Sequence, residues 1–187
     1  MPRKIADIRR EEIVDALRGV VAREGLSVPS YDLIASEGGM SRQLVRHYYR
    51  NGEEMAADLA SRLTNDLRDE IESALGNASP EQRLPVVLDT LFAWNKADVG
   101  GTDDRNALEC ALHAIGRRST VVRDAFAAHL DAIRSVVAAE LDGGSQPVEE
   151  IADAVTSLVV ARNLPGANAQ GLRQMADRLV GLPESRG

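Results

Sequence analysis

The chain has 187 residues, 44% of them hydrophobic, and a formal net charge of −7. This hydrophobic content is ordinary for a globular protein, so disorder is not the default expectation, and the longest apolar runs are far too short to cross a membrane. The first residues lack the apolar core of a signal peptide, and a single cysteine, Cys110, excludes an internal disulfide framework. We therefore expect a soluble protein of the cytoplasm, with one large domain or a small domain beside a larger one.

Apolar residues recur at helical spacing through the whole chain, and no segment alternates in the manner of a strand. A first helix with an apolar face over residues 13–21 is followed by two short helices, for which Ser30 and Ser41 are the expected caps. Asn51 and Glu54 form the pattern of a capping box that opens a long helix. The later helices are predicted over residues 80–97, 103–116, 119–141, 147–162 and 169–181. The sequence predicts an all-α fold of about nine to ten helices.

Residues 39–52, with the sequence GMSRQLVRHYYRNG, differ from the rest of the chain. They contain three arginines, two of the three tyrosines, a histidine and no acidic residue, although the whole chain is acidic and 3% aromatic. Residues 1–50 carry nine Lys and Arg against seven Asp and Glu, whereas the remainder carries 13 against 22. Because local charge governs contact with phosphates, the N-terminal part is the one suited to nucleic acid.

The two short helices and the turn between them have the pattern of a helix-turn-helix motif supported by the first helix. Gly38 and Gly39 supply the backbone freedom of the turn, and Met40 supplies an apolar plug. The second short helix presents outward side chains of the types that read base edges in a major groove, where Arg pairs with guanine and Gln with adenine. These side chains are Arg42, Gln43, Arg46 and His47.

Other side chains of this region suit the sugar-phosphate backbone. Ser30 and Tyr48 can donate to phosphate oxygens, and the helix that starts at Asn51 offers free N–H groups to a phosphate. Tyr31 can serve either the core or the DNA contact, and Tyr49 is expected to fill the space between helices. The segment is therefore interpreted as a DNA-binding surface.

Over residues 10–58 the chain resembles the DNA-binding half of TetR-type transcriptional regulators. The matching residues read, without gaps, Gly25-x4-Ser30-x3-Ile34-Ala35-x3-Gly39-Met40-Ser41-x3-Val45-x2-Tyr48-Tyr49-x4-Glu54-Met55. Three positions depart from the family pattern. Arg46 stands where a tyrosine is common, Gly52 stands where a lysine often touches phosphate, and Pro29 replaces one residue of a Thr/Ser pair.

The resemblance implies a DNA-binding domain over residues 1–50 and a ligand-sensing and dimerising domain over residues 51–187. The implied protein is a one-component repressor that binds a near-palindromic, double-stranded DNA operator as a homodimer and is released by a small-molecule inducer. The resemblance implies no cofactor and no membrane partner. The expected DNA contacts are Ser30, Tyr31, Ser41, Arg42, Gln43, Arg46, His47, Tyr48 and Asn51.

The second domain is expected to hold a mostly apolar ligand pocket and the dimer interface. The pocket candidates, each of which can equally be core, are Leu63, Leu91, Phe92, Trp94, Asn95, Cys110, His113 and Phe126. Helices rich in Ala and Val permit the close packing of a four-helix interface. The interface candidates are Ala128, Ala132, Ala152, Val155 and Val159. Internal packing of these small residues is the alternative.

Two other classes of function are weighed against a regulator. Cys110 and His113 share one helical face, but no carboxylate cluster accompanies them, so we expect neither a metal site nor an enzyme. A helical protein–protein interaction module with a degenerate helix-turn-helix that does not read DNA is the main alternative. The acidic total and Gly52 favour that alternative slightly, and substitution of Arg42 and Arg46 discriminates between the two.

Overall fold

The computed structural model describes residues 4–24, 30–92, 102–141, 147–164 and 166–182. Across these residues the chain forms nine α-helices and no strand, which confirms the predicted all-α fold. The helices are α1 (Ile5–Glu24), α2 (Tyr31–Glu37), α3 (Arg42–Tyr48), α4 (Gly52–Leu75), α5 (Pro80–Phe92), α6 (Thr102–Gly116), α7 (Thr120–Glu140), α8 (Val148–Ala161) and α9 (Ala169–Leu179). In the part of the chain that is described, no helix is both long and apolar enough to span a membrane.

The chain divides into two compact units. The first, which we call the N-terminal unit, comprises Met1–Leu63 and Asp103–Ala127. The second, the C-terminal unit, comprises Thr64–Thr102 and Ala128–Gly187. Helices α4 and α7 each have residues in both units. The functional division into residues 1–50 and 51–187 remains a prediction.

The core of the N-terminal unit is built on α1, which contacts both α2 and α3. Ile13 and Leu17 of α1 are 0% and 1% exposed, and Ile34 of α2 and Val45 of α3 are fully buried. The spacing of Ile13, Leu17 and the following valines places them on one helical face, as the sequence indicated. Burial of this face fixes the two short helices, which are too short to be stable alone.

The core of the C-terminal unit draws apolar side chains from α4, α5, α7, α8 and α9. Its buried members include Leu67, Ile71, Val87, Leu88, Leu91, Phe92, Ile133, Val137, Ile151, Ala152, Val155, Val159 and Ala176. The side chain of Arg162, in a residue that is 4% exposed, donates a hydrogen bond to the carbonyl oxygen of Leu91 in the last turn of α5. A cation suits this position because the last carbonyls of a helix lack partners within the helix.

Burial changes the interpretation of the small residues assigned to a dimer interface. Ala132 is 6% exposed, and Ala152, Val155 and Val159 are fully buried. Ala152, Val155 and Val159 belong to the core of the C-terminal unit, so their side chains face the chain's own interior. Only Ala128 of the five candidates is exposed. The alternative of internal packing therefore accounts for the other four, because helical periodicity marks a buried face without telling what buries it.

Candidate nucleic-acid interface

The turn between α2 and α3 has a hydrogen-bond pattern that requires a residue with a left-handed backbone conformation. Gly39 has φ +60°. The N–H of Met40 donates to the carbonyl of Ala35 at 2.9 Å, and that of Gly39 donates to Ser36 at 3.4 Å. This is the Schellman arrangement, in which glycine avoids the cost of a Cβ atom at positive φ. The glycine predicted for the turn thus sets the angle at which α3 leaves α2.

Helix α3 has one buried side and one exposed side. Val45 is fully buried and Tyr49, directly after the helix, is 1% exposed, so both anchor the helix inward. The hydroxyl of Ser41 accepts the N–H of Leu44 at 3.1 Å, which confirms the predicted cap. The outward side carries exposed residues only, namely Ser41, Arg42, Gln43, Arg46 and His47. All four residues assigned to base contacts therefore share an exposed helical surface.

The residues assigned to phosphate contacts lie at the start of α2, at the end of α3 and at the start of α4. The hydroxyl of Ser30 caps α2 by accepting the N–H of Leu33 at 3.3 Å. Tyr31 is half-buried, and its hydroxyl donates to the carbonyl of Tyr49 at 3.4 Å, so it has a structural role. Tyr48 is also half-buried, and its ring meets that of His47 edge-on at 5.1 Å.

The start of α4 confirms one half of the predicted capping box and modifies the other. The Asn51 side chain accepts the N–H of Glu54 at 2.9 Å. The Glu54 carboxylate accepts the N–H of Arg50 at 2.9 Å, one residue before the expected partner. These bonds hold the N-terminal end of α4 and leave the Arg50 side chain 91% exposed. Arg50 is not among the residues predicted to contact DNA. Its place in the basic segment of residues 39–52 could have indicated such a contact.

The arginines of α3 differ in their surroundings. Arg42 forms an ion pair with Asp32 of α2 at 3.2 Å, and both side chains are exposed. Arg46 forms no ion pair within the described residues. Since an exposed pair contributes little stability, Arg42 can exchange Asp32 for another anion at small cost. Of the two arginines of α3, Arg46 is therefore unpaired among the described residues and Arg42 is weakly held.

A network that the sequence did not reveal joins α1, the end of α3 and α4. The Tyr49 hydroxyl donates to the Asp58 carboxylate at 2.7 Å, and Arg10 pairs with the same carboxylate at 3.2 Å. The Arg10 guanidinium lies over the Tyr49 ring at 4.9 Å from its centroid and donates to the carbonyl of Tyr48 at 3.2 Å. Burial, reinforced by the hydrogen bond to Asp58, raises the pKa of Tyr49 above its ordinary value. We call these residues the Arg10–Tyr49–Asp58 network.

The raised pKa of Tyr49 predicts a loss of stability in alkali. Above pH about 10 the tyrosine ionises in the unfolded chain while the folded chain resists ionisation, so the free energy of unfolding falls. The contribution of one such group is at most about 1.4 kcal/mol per pH unit. We expect Tyr49→Phe to be less stable than the wild type at pH 8 and to lose less of its stability between pH 10 and 11. Urea denaturation at each pH measures this, and Tyr48→Phe is the control. Parallel pH curves for wild type and Tyr49→Phe would contradict it.

Comparison with solved structures shows which fold the chain has. A TetR transcription regulator from Haloarcula marismortui ATCC 43049 superimposes with a TM-score of 0.78 at 19% identity, over 94% of this chain and 97% of that one. The chain has the fold of TetR-type regulators. A regulator from Saccharomonospora viridis, solved in complex with choline, superimposes with a TM-score of 0.76 at 16% identity, over 94% of this chain and 96% of that one.

Sequence similarity to TetR-type proteins is more limited in extent. The HTH-type transcriptional regulator BetI of Vibrio vulnificus (strain YJ016) is 34% identical over 89 residues, which are 46% of this chain and 44% of that protein. The chain thus spans about half the length of the BetI relatives it matches. No protein-family model matches the chain.

The residues expected to line a TetR-type ligand pocket lie in both units. Leu63 and Phe126 belong to the N-terminal unit and are buried, as are Leu91 and Phe92 of the C-terminal unit. The remaining candidates are Cys110, which is half-buried, His113, which is exposed, and Trp94 and Asn95, which lie outside the described residues. The His113 and Phe126 rings meet edge-on with centroids 6.1 Å apart. These two side chains are therefore in contact, and the ligand pocket remains a prediction.

The surroundings of Cys110 affect the reactivity of its thiol. Burial, with a smaller contribution from the Glu109 carboxylate, raises the pKa of the Cys110 thiol, which keeps it protonated at neutral pH. A thiol is nucleophilic and metal-binding in its ionised form, so this environment opposes both roles. No group of three His, Cys, Asp or Glu side chains is placed to hold a metal within the ranges that the structure covers.

Proposed function

We propose that this protein is a TetR-type, one-component transcriptional repressor of the cytoplasm. In this proposal it binds a near-palindromic DNA operator as a homodimer and is released by a small-molecule inducer. The observation that carries the proposal is the acid-free outward side of α3. On this side Arg42, Gln43, Arg46 and His47 are exposed together while Val45 and Tyr49 hold the helix in place. A helix presented in this way can enter a major groove and read base edges by hydrogen bonds.

The local charge supports an approach to DNA despite the acidic total. Two acids of α2 lie near the basic surface, and both have cationic partners. Asp32 pairs with Arg42, and Glu37 pairs with Arg23 at 2.9 Å, which lowers the pKa of the Glu37 carboxyl. Neutralised acids repel phosphates less. Arg46 forms no ion pair within the described residues, and Arg50 lies 3.8 Å from the Glu54 carboxylate with its side chain 91% exposed, so both can meet a phosphate. Phosphate binding of this kind is expected to weaken steeply with salt.

The pair between Asp32 and Arg42 leads to a prediction. We expect Asp32→Asn to bind DNA about 2- to 5-fold more tightly at low salt, because a negative charge is removed and Arg42 is released. The change should apply to specific and nonspecific duplexes alike. Fluorescence anisotropy at two salt concentrations measures it, with Asp69→Asn in α4 as the control. Weaker operator binding by Asp32→Asn would instead show that Asp32 holds Arg42 in place for a base contact.

Exposed apolar residues of the C-terminal unit are candidates for the dimer contact. Leu164 after α8 is 62% exposed, and Met175 and Leu179 of α9 are 52% and 41% exposed. Met175 and Leu179 lie one turn apart, so they share a helical face. We propose that a second copy of the chain covers this face, because a two-fold operator requires a two-fold protein.

Charge placed on this face should separate the copies. We expect Met175→Glu with Leu179→Glu to be a monomer at micromolar concentration where the wild type is a dimer, because an unpaired carboxylate in an apolar interface is strongly unfavourable. Sedimentation equilibrium measures the mass, and Val121→Glu, at a residue that is 51% exposed in α7, is the control. If the double variant sediments as the wild-type dimer, another face makes the contact.

Helix α4 is the element through which we propose that inducer binding releases the protein from DNA. Its residues are divided between the two units, and its Asp58 holds Tyr49 and Arg10. An inducer acts only if it binds the DNA-competent and the released states with different affinity. We propose that a shift of α4 alters the spacing of the two α3 helices.

Selection of bound sequences from a random duplex library, followed by footprinting, tests the function. The DNA upstream of the protein's own coding region is the first natural candidate. We expect an inverted repeat with half-site centres roughly 34–36 Å apart. Recovery of no preferred sequence, together with no salt-sensitive binding, would favour the interaction module that does not read DNA.

A further inference from the structure

The junction of α6 and α7 forms an open cleft that the proposed DNA-binding surface does not use. His113 and Arg117 lie one turn apart at the end of α6, and Arg123 and Phe126 lie one turn apart at the start of α7. Together with Gly116, these residues line a cavity of about 310 Å³. All five belong to the N-terminal unit. We call this feature the corner cleft.

Gly116 explains why the two helices approach closely enough to form the cleft. A Cβ atom at this position would lie 3.2 Å from the Cα atom and 3.4 Å from the nitrogen of Arg123. Both are backbone atoms, which cannot turn aside as a side chain can. Any larger residue would therefore push α7 away from α6, and the close approach brings Arg117 and Arg123 to one cavity.

The segment that forms the corner cleft is rich in positive charge for an acidic chain, although Asp124 follows it directly. Residues 113–123 contain three arginines, one histidine and no acid. Arg117, Arg118 and Arg123, like Arg46 and Arg68, form no ion pair within the described residues, whereas Arg10, Arg23, Arg42, Arg83, Arg134 and Arg173 do. The first turn of α7 carries Arg123 and no acidic residue, although a helix N-terminus favours negative charge. Like charges gathered in this way are favourable when an anion joins them.

The shape and lining indicate the kind of anion. Phe126 is 6% exposed and meets the His113 ring edge-on, so the cleft has an aromatic wall beside its two guanidinium groups. The cavity volume lies at the lower end of the range of small-molecule sites. We propose that the corner cleft binds a small organic anion with a flat apolar body, its carboxylate held by Arg117 and Arg123 and its body against Phe126. Its role as an effector site rests on the proposed function, but binding of the anion does not.

Titration with 1-naphthoate, in the absence of DNA, tests the site itself. We expect the wild-type full chain to bind 1-naphthoate in isothermal titration calorimetry, and Arg117→Gln and Arg123→Gln each to weaken binding by about 10-fold or more, as the loss of a charge-assisted hydrogen bond would. Arg118→Gln removes an arginine of the same segment that does not line the cavity and should bind as the wild type does. Unchanged melting temperatures confirm that the variants fold.

Several outcomes would overturn the assignment. If the neutral isostere 1-naphthamide binds as tightly as 1-naphthoate, the cleft does not recognise the negative charge. If inorganic phosphate binds as tightly as 1-naphthoate, the cleft does not recognise the apolar body. If Arg118→Gln weakens 1-naphthoate binding as much as Arg117→Gln and Arg123→Gln do, the anion is attracted by the general positive charge of the segment and not by the cleft. If Arg117→Gln and Arg123→Gln bind 1-naphthoate normally but lower the salt dependence of DNA binding, these arginines contact DNA phosphates instead.

A second experiment tests whether anion binding regulates DNA binding. Once an operator has been identified, 1-naphthoate should change the operator affinity of the wild type several-fold and leave that of Arg117→Gln unchanged. An unchanged wild-type affinity at saturating 1-naphthoate would overturn the effector role. If the protein selects no operator, the proposed function fails, while the calorimetry still decides the anion site.

Discussion

Arg46→Ala is expected to weaken operator binding of the dimer by about 30-fold to more than 10,000-fold. A good bidentate contact to a base contributes roughly 1–3 kcal/mol of discrimination, and a dimer loses one such contact in each half-site. The guanidinium of Arg46 is exposed and has no ion pair within the described part of the chain, so nothing offsets its loss. Arg42→Ala should have a smaller effect, because Arg42 must first leave Asp32.

Measurement of the dissociation constants on a selected operator and on a scrambled duplex decides between base reading and general attraction. If Arg46 reads a base, its loss lowers specific binding far more than nonspecific binding. Arg68→Ala is the matched control, since Arg68 is an exposed arginine of the C-terminal unit with no ion pair in the described residues. Equal operator affinity for Arg46→Ala and Arg68→Ala would remove α3 from the role of recognition helix.

Leu17→Ala is expected to lower the free energy of unfolding by about 2–5 kcal/mol, the usual cost of truncating a buried leucine. Leu17 is 1% exposed and lies on the face of α1 that supports α2 and α3. Because a domain is stable by only about 5–15 kcal/mol, this change removes a large part of the total. We therefore expect weaker DNA binding at elevated temperature, although no residue of the outward surface is altered.

Leu33→Ala makes the same chemical change on the surface and serves as the control. Leu33 is 43% exposed, so its truncation should cost less than about 1 kcal/mol. Urea denaturation at a fixed protein concentration compares the two variants, since dimerisation makes stability depend on concentration. A loss of similar size in both variants would contradict the placement of α1 as the support of the motif.

The helix-turn-helix could be predicted because its determinants lie close together in sequence. The caps Ser30 and Ser41 act within three residues, and Gly39 acts within its own turn. Tyr49 was correctly assigned to the core because its position follows from the helical period after Val45. These features depend on the backbone preferences of residues only a few positions apart, so the sequence alone is enough to predict them.

Other features depend on contacts between distant segments and could not be predicted. Arg10 and Asp58 are 48 residues apart, and no local pattern pairs them. The corner cleft needs Gly116 to lie against Arg123, an approach that follows from packing. The spacing of Ala152 and Val155 indicated an apolar helical face but not what packs against that face. In the structure both residues pack in the chain's own core.

Competition between operator and scrambled duplex over a range of salt concentrations measures directly whether the outward side of α3 reads DNA sequence. We expect the wild type to prefer the selected operator by about 10³-fold or more at physiological salt, with affinity falling as salt rises. Arg42→Ala with Arg46→Ala should lose that preference and keep residual, salt-sensitive binding. A wild-type protein that does not discriminate between the two duplexes at any salt concentration would show that the protein is not a sequence-specific DNA-binding regulator.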